Sequence, residues 1–331
     1  MTYYHLGELI HQQAEKLNRK TALKYQDVEG NWVDMSWSYF SDRIMKAAQA
    51  MAELGVMPDD KVGVYSQNMA KYLVTDFAAY ANKAVMVPMY ATSSPEQVSY
   101  IVTDAHVKLL FVGEQFQYNN AFVVQQNSDV LERIIVFDRE VVLHPEDESS
   151  IYFDDFIASG DNSKSQALVK ARLRLLREED LAAIIYTSGT TGEPKGVMLT
   201  HANFQKAFWI HDERLTQFSE KDLSMCFLPL THIFEKAWTY YCLFKGATVA
   251  VNKEPSKIRE TIKEVRPTVM SNVPRFWEKV YEGVKETMET APRPLRWLFA
   301  DAVKTGRKHN LEWVNKGKKA PLGNRLKFIL Y

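Results

Sequence analysis

Hydrophobic positions along the first half of the chain follow two alternating patterns, one typical of amphipathic helices and one of short buried strands. Over residues 38–54 apolar side chains recur at helical spacing, and Gly55 follows where a helix C-cap is expected. Further helices are predicted at 69–82 and 95–105, and strands are predicted at 61–65, 84–87, 108–112 and 134–137. Strands that alternate with helices of this length pair in parallel through right-handed crossovers. The pattern therefore predicts a doubly wound α/β layer.

The alternation is interrupted by an acidic and polar stretch before it resumes. Residues 143–170 are predicted to form a connector between a first α/β portion at 1–142 and a second at 171–331. In the second portion, strands are predicted at 181–186, 247–251 and 269–272, and helices at 203–218, 256–265 and 275–288. The last residues, 327–331, have the pattern of an apolar strand.

Composition narrows the class of protein. The 331 residues are 46% hydrophobic and 25% charged, which suits about two globular domains or one large one, and the net charge of +0 makes nucleic-acid binding an unsuitable role. Two cysteines, Cys226 and Cys242, cannot form a disulfide framework or a four-thiolate metal site, and their apolar surroundings predict core positions.

Location is also predicted from the pattern of charge and hydropathy. No secretory signal and no long apolar window is visible, so we expect a cytoplasmic protein. From residue 293 onward ten basic residues stand against two acidic ones. This excess suits a solvated helical face, but it would also allow peripheral contact with anionic lipids on the inner face of a membrane.

The stretch 183–203 carries the clearest chemical signal. A buried strand runs into a loop with three glycines, four hydroxyl side chains and one lysine, and an apolar-periodic helix follows. These loop residues are Thr187, Ser188, Gly189, Thr190, Thr191, Gly192, Lys195 and Gly196. Glycines allow backbone N–H groups to converge on an anion, and the hydroxyls and the ammonium group add donors, so the loop is predicted to cradle a polyphosphate. Its spacing differs from a Walker A loop, because Lys195 follows Gly192 by three positions and precedes Gly196.

Three blocks resemble one enzyme superfamily. The order Thr187-Ser-Gly-Thr-Thr-Gly-Glu-Pro-Lys-Gly196 resembles the signature of the acyl-adenylate-forming, or AMP-binding, superfamily. The block Phe-Leu-Pro-Leu-Thr-His-Ile-Phe-Glu-Lys at 227–236, and the stretch at 267–281, are similar to motifs of its long-chain fatty acid–CoA ligase branch. The resemblance implies the large N-terminal domain of the acyl-CoA synthetase-like fold, with doubly wound parallel sheets and flanking helices.

The resemblance also implies a reaction and a set of site residues. A fatty acid would be activated by ATP to an acyl adenylate and then transferred to CoA, with Mg²⁺ bound to the phosphates. Catalytic roles are implied for Thr187, Lys195 and His232, and Thr187 would also support the metal ion. ATP contacts are implied for Thr187, Ser188, Gly189, Thr190, Thr191, Gly192, Lys195 and Gly196. Acyl-substrate contacts are implied for His232, Phe234 and Trp238.

Two alternatives remain open at the level of sequence. The acid could instead be an amino acid or an aryl acid, or the chain could be a non-catalytic binding protein with a degenerate adenylation fold. The later Tyr-Gly-x-Thr-Glu and Thr-Gly-Asp blocks of the superfamily, and its C-terminal lid domain, do not occur in these residues. We therefore expect an incomplete adenylation domain, truncated at its C-terminus and inactive alone. The sequence does not indicate acyl chain length or oligomeric state.

Overall fold

Two β-sheets form the framework of the larger part of the molecule. The computed structural model describes residues 5–160, 163–187 and 193–330, which divide into two compact units, Met1–Ser271 and Asn272–Tyr331. The strands are β1 (Thr21–Gln26), β2 (Trp32–Ser36), β3 (Lys61–Tyr65), β4 (Val85–Met89), β5 (Val107–Val112), β6 (Arg133–Val136), β7 (Ile151–Tyr152), β8 (Leu181–Thr187), β9 (Lys195–Thr200), β10 (Leu223–Cys226) and β11 (Thr248–Val251).

Both sheets are mostly parallel. Seven strands lie in the order β7-β6-β5-β3-β4-β8-β9, and four lie in the order β10-β11-β1-β2. All neighbours pair in parallel except β8 with β9 and β1 with β2, which pair antiparallel. Parallel strands need crossover connections that cover both faces of the sheet. Accordingly every residue of the inner strand β4 is buried.

Ten helices in the described part of the first unit cover these sheets. They are α1 (Leu6–Leu17), α2 (Trp37–Glu53), α3 (Ala70–Ala81), α4 (Pro95–Ala105), α5 (Gln115–Gln126), α6 (Phe153–Ser159), α7 (Ser163–Leu173), α8 (His201–Arg214), α9 (Ile233–Phe244) and α10 (Ile258–Val265). Helix α4 begins with a capping box formed by Ser94 and Gln97, with Pro95 in its first turn. Helix α3 packs against both β4 and β1, and all its residues except Lys71 are buried. It therefore lies between the two sheets.

The second unit is helical. Its helices are α11 (Pro274–Thr290), α12 (Arg293–Lys308) and α13 (Leu322–Leu330), and a π-helical turn at His309–Trp313 and a 3₁₀ turn at Val314–Lys316 follow α12. Within this unit the His309 and Phe328 rings stack with centroids 4.1 Å apart, and Lys327 pairs with Asp301 at 2.7 Å. Across the described ranges of both units, no helix combines the length and the apolar character required to cross a bilayer.

Three local predictions need correction. The stretch 143–170 is not merely a connector, because α6 and α7 bury Phe153, Phe156 and Val169 in the core. These apolar residues stand at helical spacing among polar neighbours, and the polar neighbours made the whole stretch resemble a connector. The predicted strand at 269–272 is reduced to one bridge between Val269 and Ser224. The predicted strand at 327–331 is helical through Leu330.

Candidate functional site

The predicted phosphate loop closes a β-hairpin. Strand β8 is buried from Ala182 to Tyr186 and ends at the exposed Thr187, and β9 returns antiparallel from Lys195. Thr187 pairs directly with Lys195 in this register. Opposite residues of an antiparallel pair place their side chains on the same face. The hydroxyl of Thr187 and the ammonium group of Lys195 therefore belong to one face at the mouth of the loop. The remaining predicted phosphate contacts, Ser188, Gly189, Thr190, Thr191 and Gly192, lie outside the described residues.

The hairpin corrects one detail of the sequence analysis. The loop does not lead directly into helix α8, because strand β9 intervenes. Gly196 on this strand lies opposite Tyr186. A Cβ atom at Gly196 would stand 2.7 Å from Cγ2 of Ile184 and 3.2 Å from Cζ of Tyr186, closer than packed side chains allow. The glycine is thus required by the packing of the hairpin, and its contact with ATP stays a prediction.

Helix α4 supports the loop end of this hairpin. Tyr186 hydrogen-bonds to Asp104 near the end of α4, and its ring meets Tyr100 edge-on with centroids 6.3 Å apart. The Tyr100 hydroxyl donates to the carbonyl oxygen of Pro194 at 3.1 Å. Burial, together with the neighbouring Asp104 carboxylate, raises the pKa of Tyr186, so the phenol stays protonated as a donor. Both sides of the loop are consequently fixed to one helix.

The second block, residues 227–236, forms a turn followed by the first turn of α9. We call residues 227–232 the 227–232 turn. The Leu230 N–H donates to Asn68 Oδ1 at 2.9 Å, and Asn68 Nδ2 donates to the Leu228 carbonyl at 2.8 Å. Thr231 Oγ1 donates to the carbonyl oxygen of Met89 at 3.3 Å. Asn68 follows β3 and Met89 ends β4, so these bonds hold the turn at the carboxyl ends of both strands.

Strand register brings the two blocks to the same edge. Strands β4 and β8 pair in parallel with Met86 opposite Ala183. Three residues further along, Met89 is level with Tyr186, the residue before Thr187. The 227–232 turn and the mouth of the hairpin therefore meet at the carboxyl edge of the seven-stranded sheet, which is where open α/β sheets bind their ligands.

His232 stands at the end of this turn as the N-cap of α9. Its Nδ1 accepts a hydrogen bond from the Phe234 N–H at 3.2 Å. An acceptor at Nδ1 places the proton of the neutral ring on Nε2, which can then donate to a carboxylate. The His232 side chain is exposed and Phe234 is 48% exposed, so both are accessible to a substrate.

Comparison with known proteins identifies the family. The sequence model described as "AMP-binding enzyme" matches residues 10–323. The chain belongs to the AMP-binding enzyme family. It is 31% identical over 281 residues to a long-chain-fatty-acid–CoA ligase of Mycobacterium bovis, covering 84% of this chain and 45% of that protein. A long-chain-fatty-acid–CoA ligase of Mus musculus is 26% identical over 330 residues, with 97% and 49% covered.

Solved structures agree with the fold. The crystal structure of a long-chain-fatty-acid-CoA ligase from Archaeoglobus fulgidus matches with a TM-score of 0.64 at 25% identity, covering 81% of this chain and 51% of that one. The predicted fold class, the α/β N-terminal domain of acyl-CoA synthetase-like enzymes, is confirmed. The chain spans about half the length of the curated relatives that it matches.

Trp238, a predicted acyl-substrate contact, lies in the core of the AMP-binding fold. Its side chain is 9% exposed and its Nε1 donates to Ser224 Oγ at 3.0 Å. The rings of Phe218 and Tyr241 lie 5.7 and 6.0 Å from it, measured between centroids. These contacts give the indole a packing role, and its contact with an acyl chain stays a prediction.

Two charged residues that follow His232 are buried, and the sequence alone did not identify their partners. Lys236 Nζ lies 2.6 Å from Asp76 Oδ2 of α3, and both side chains are fully buried. The Tyr240 hydroxyl donates to the same oxygen at 2.6 Å. Glu235 is also fully buried, and its Oε2 accepts from Ser271 Oγ at 2.7 Å. Two adjacent charges inside the apolar run of α9 were the available signal.

Proposed function

We propose that this AMP-binding protein activates a carboxylic acid with ATP, that the acid is a long-chain fatty acid, and that CoA is the final acceptor. A carboxylate oxygen attacks the α-phosphorus of ATP, the new O–P bond forms, and pyrophosphate leaves with the electrons of the broken P–O bond. The CoA thiol, on losing its proton, then attacks the acyl carbonyl and releases AMP. The observation that carries this proposal is the meeting of the hairpin mouth and the 227–232 turn at one sheet edge.

The chemistry requires two anions to approach each other, so fixed positive charge and donors must face them. In the proposal, the Lys195 ammonium binds the β- and γ-phosphates at the mouth of the hairpin. His232 Nε2 donates to the attacking carboxylate and orients it. No general base is needed, because the acid is already ionised at neutral pH. The exposed Phe234 ring beside His232 gives the apolar chain a surface to contact.

Mg²⁺ fits this site only as a partner of the nucleotide. The Thr187 hydroxyl is a hard oxygen donor of the kind that Mg²⁺ accepts, and it would hold the ion. Among residues 5–160, 163–187 and 193–330, no group of three or more His, Cys, Asp or Glu side chains could coordinate a metal. When bound, the ion supplies charge neutralisation on the phosphates. The chain's own contributions are the donors at Thr187 and Lys195.

Long-chain specificity and location are the finer parts of the proposal. The 227–236 block and the names of the relatives support a fatty acid over an amino or aryl acid. The basic residues from 293 onward support a cytoplasmic protein that contacts an anionic membrane surface peripherally, where its substrate would partition. The domain plan with portions at 1–142 and 171–331 remains part of this proposal.

The test is ATP–pyrophosphate exchange with a panel of acids, combined with ATP titration of the 331-residue chain. Palmitate is expected to support exchange by the complete product of the reading frame, whereas amino acids and benzoate are not. The variant Lys195→Ala should lower exchange about 100-fold and weaken ATP binding, because it removes the cation at the hairpin mouth.

The matched control is Lys170→Ala, which removes an exposed lysine from α7. It should leave both measurements unchanged. Equal effects of the two substitutions would contradict the role of Lys195. Exchange with amino acids but not with palmitate would contradict the fatty-acid assignment.

A further inference from the structure

The Glu235 carboxylate joins helix α9 to the segment that ends at Ser271. Its Oε2 accepts from Ser271 Oγ at 2.7 Å, and its Oε1 accepts from Thr239 Oγ1 one turn further along α9 at 3.2 Å. This fully buried side chain thus bonds the first turn of α9 to a distant part of the chain.

No cation among the described residues pairs with Glu235. The adjacent Lys236 is bonded to Asp76 on α3 instead. The other titratable groups that act on this carboxyl group are thiols, Cys226 on β10 and Cys242 on α9. Burial raises the pKa of Glu235 to about 7, and its hydroxyl, thiol and backbone donors oppose that rise. The group therefore changes its protonation near neutral pH.

The 227–232 turn is held by buried groups on two sides. Asn68 and the Met89 carbonyl hold it on the side of the seven-stranded sheet. Glu235 holds its end at His232, because Glu235 lies in the first turn of the helix that His232 caps and is bonded to Ser271. A shift of Glu235 would therefore move His232.

We propose that Glu235 is a positioning residue that fixes the 227–232 turn and thereby sets the direction of the His232 ring. This inference rests on the proposed function, in which His232 orients the substrate carboxylate. Glu235 does not touch substrate. It acts through the turn, and the carboxylate form is the effective one because it accepts from all its donors at once.

Protonation changes this arrangement in a defined way. A neutral carboxyl group carries a donor and loses acceptor capacity. Hydrogen bonds to a carboxylate are about twice as strong as those to a neutral group. Protonation therefore weakens the bonds from Ser271 and Thr239, and the turn should loosen as the pH falls below about 7.

The experiment compares Glu235→Gln with the wild-type chain. Amide hydrogen exchange of peptides covering 227–234, corrected for the intrinsic effect of pH, should show wild-type protection rising about fivefold between pH 6 and 8. In Glu235→Gln protection should be low and independent of pH. In the ATP–pyrophosphate exchange assay, run on the complete product of the reading frame with the same substitution, kcat should lose its limb near pH 7 while KM for ATP stays unchanged.

The control is Glu213→Gln, an exposed glutamate on α8. It should match the wild type in both assays. Wild-type protection and a wild-type pH profile in Glu235→Gln would overturn the inference. If the wild-type protein catalyses ATP–pyrophosphate exchange with none of the acids in the panel, the proposed function fails. The amide hydrogen-exchange measurement still decides the role of Glu235 in that case.

A second variant covers the case in which Glu235→Gln fails to fold. Ser271→Ala removes the 2.7 Å hydrogen bond and keeps the charge. It should loosen the 227–234 peptides and leave peptides from β3 unchanged. Loosening confined to the turn supports the inference, and protection equal to the wild type refutes it.

Discussion

The buried pair of Lys236 and Asp76 allows a quantitative test of how α9 is attached to α3. The Lys236 ammonium lies 2.6 Å from Asp76 Oδ2, both side chains are fully inaccessible, and the Tyr240 hydroxyl donates to the same oxygen. Burial lowers the pKa of Lys236 and raises that of Asp76, while their mutual attraction opposes both shifts. Each of the two buried charges is therefore stabilised only while its partner is present.

The perturbation is Lys236→Met, which keeps the length of the side chain and removes its charge. It leaves the Asp76 carboxylate buried with one neutral donor, Tyr240. Removal of one partner from a buried ion pair costs about 3–5 kcal/mol of unfolding free energy. For a unit of this size that loss corresponds to a fall in Tm of about 10 °C. Replacing both partners, as Asp76→Asn with Lys236→Met, removes the uncompensated charge and should recover most of the loss.

Urea unfolding followed by tryptophan fluorescence measures all four members of this double-mutant cycle. The loss in Lys236→Met should shrink as the pH falls from 7 to 5, because the lone Asp76 has a raised pKa in the folded state and takes up a proton there before the unfolded chain does. A loss below about 1 kcal/mol in Lys236→Met, or a double variant as unstable as that single variant, would refute the reasoning.

Two further predictions concern histidine burial and glycine packing. Burial lowers the pKa of His5 to about 4 in the folded protein, whereas the unfolded value is about 6.5. The unfolding free energy should therefore fall as the pH drops from 6.5 towards 4, by about 2 kcal/mol between pH 7 and 5. His5 also caps α1, because its Nδ1 accepts from the Gly7 N–H at 3.0 Å. Urea unfolding of His5→Asn, which replaces that acceptor with an amide oxygen, should lack this part of the pH dependence, and an unchanged dependence would contradict it. Gly196→Ala should lower the unfolding free energy by about 1–3 kcal/mol because its Cβ meets Ile184 at 2.7 Å. The control is Gly323→Ala, because a Cβ there has no atom within 4 Å, and it should leave the melting of the first unit unchanged. An unfolding free energy of Gly196→Ala equal to that of the wild type would count against the packing argument.

The sequence predicts best those elements whose pattern is local and whose buried face is uniform. The strand at 61–65 and the helix at 95–105 match β3 and α4 residue for residue. Helix α4 is defined by Pro95 and the Ser94–Gln97 capping box, which act within one turn. Strand β1 was missed because it pairs in parallel with β11, which comes far later in the chain.

The same distinction between local signals and distant partners applies to the candidate site. Two contiguous motifs, at 187–196 and 227–236, predict Thr187, Lys195 and His232 as site residues, because the order of residue types is itself the signal. Contacts that hold those residues in place are not contiguous, and the bond from Leu230 to Asn68 spans 162 positions. No periodicity in a single sequence encodes such a pairing. Glu235 could be found only as a charge inside an apolar helix, without its partners.

The polar contacts around the site explain why charged residues occupy the core at this point. The hairpin belongs to the seven-stranded sheet, whereas the 227–232 turn begins at β10 of the four-stranded sheet. Apolar packing between sheets is not directional, so by itself it would permit small slides of one sheet on the other. Directional bonds from Asn68, from Thr231 to Met89 and between Lys236 and Asp76 oppose such slides. The proposed chemical step, between groups from two sheets, would need that alignment more than the extra stability of an apolar replacement.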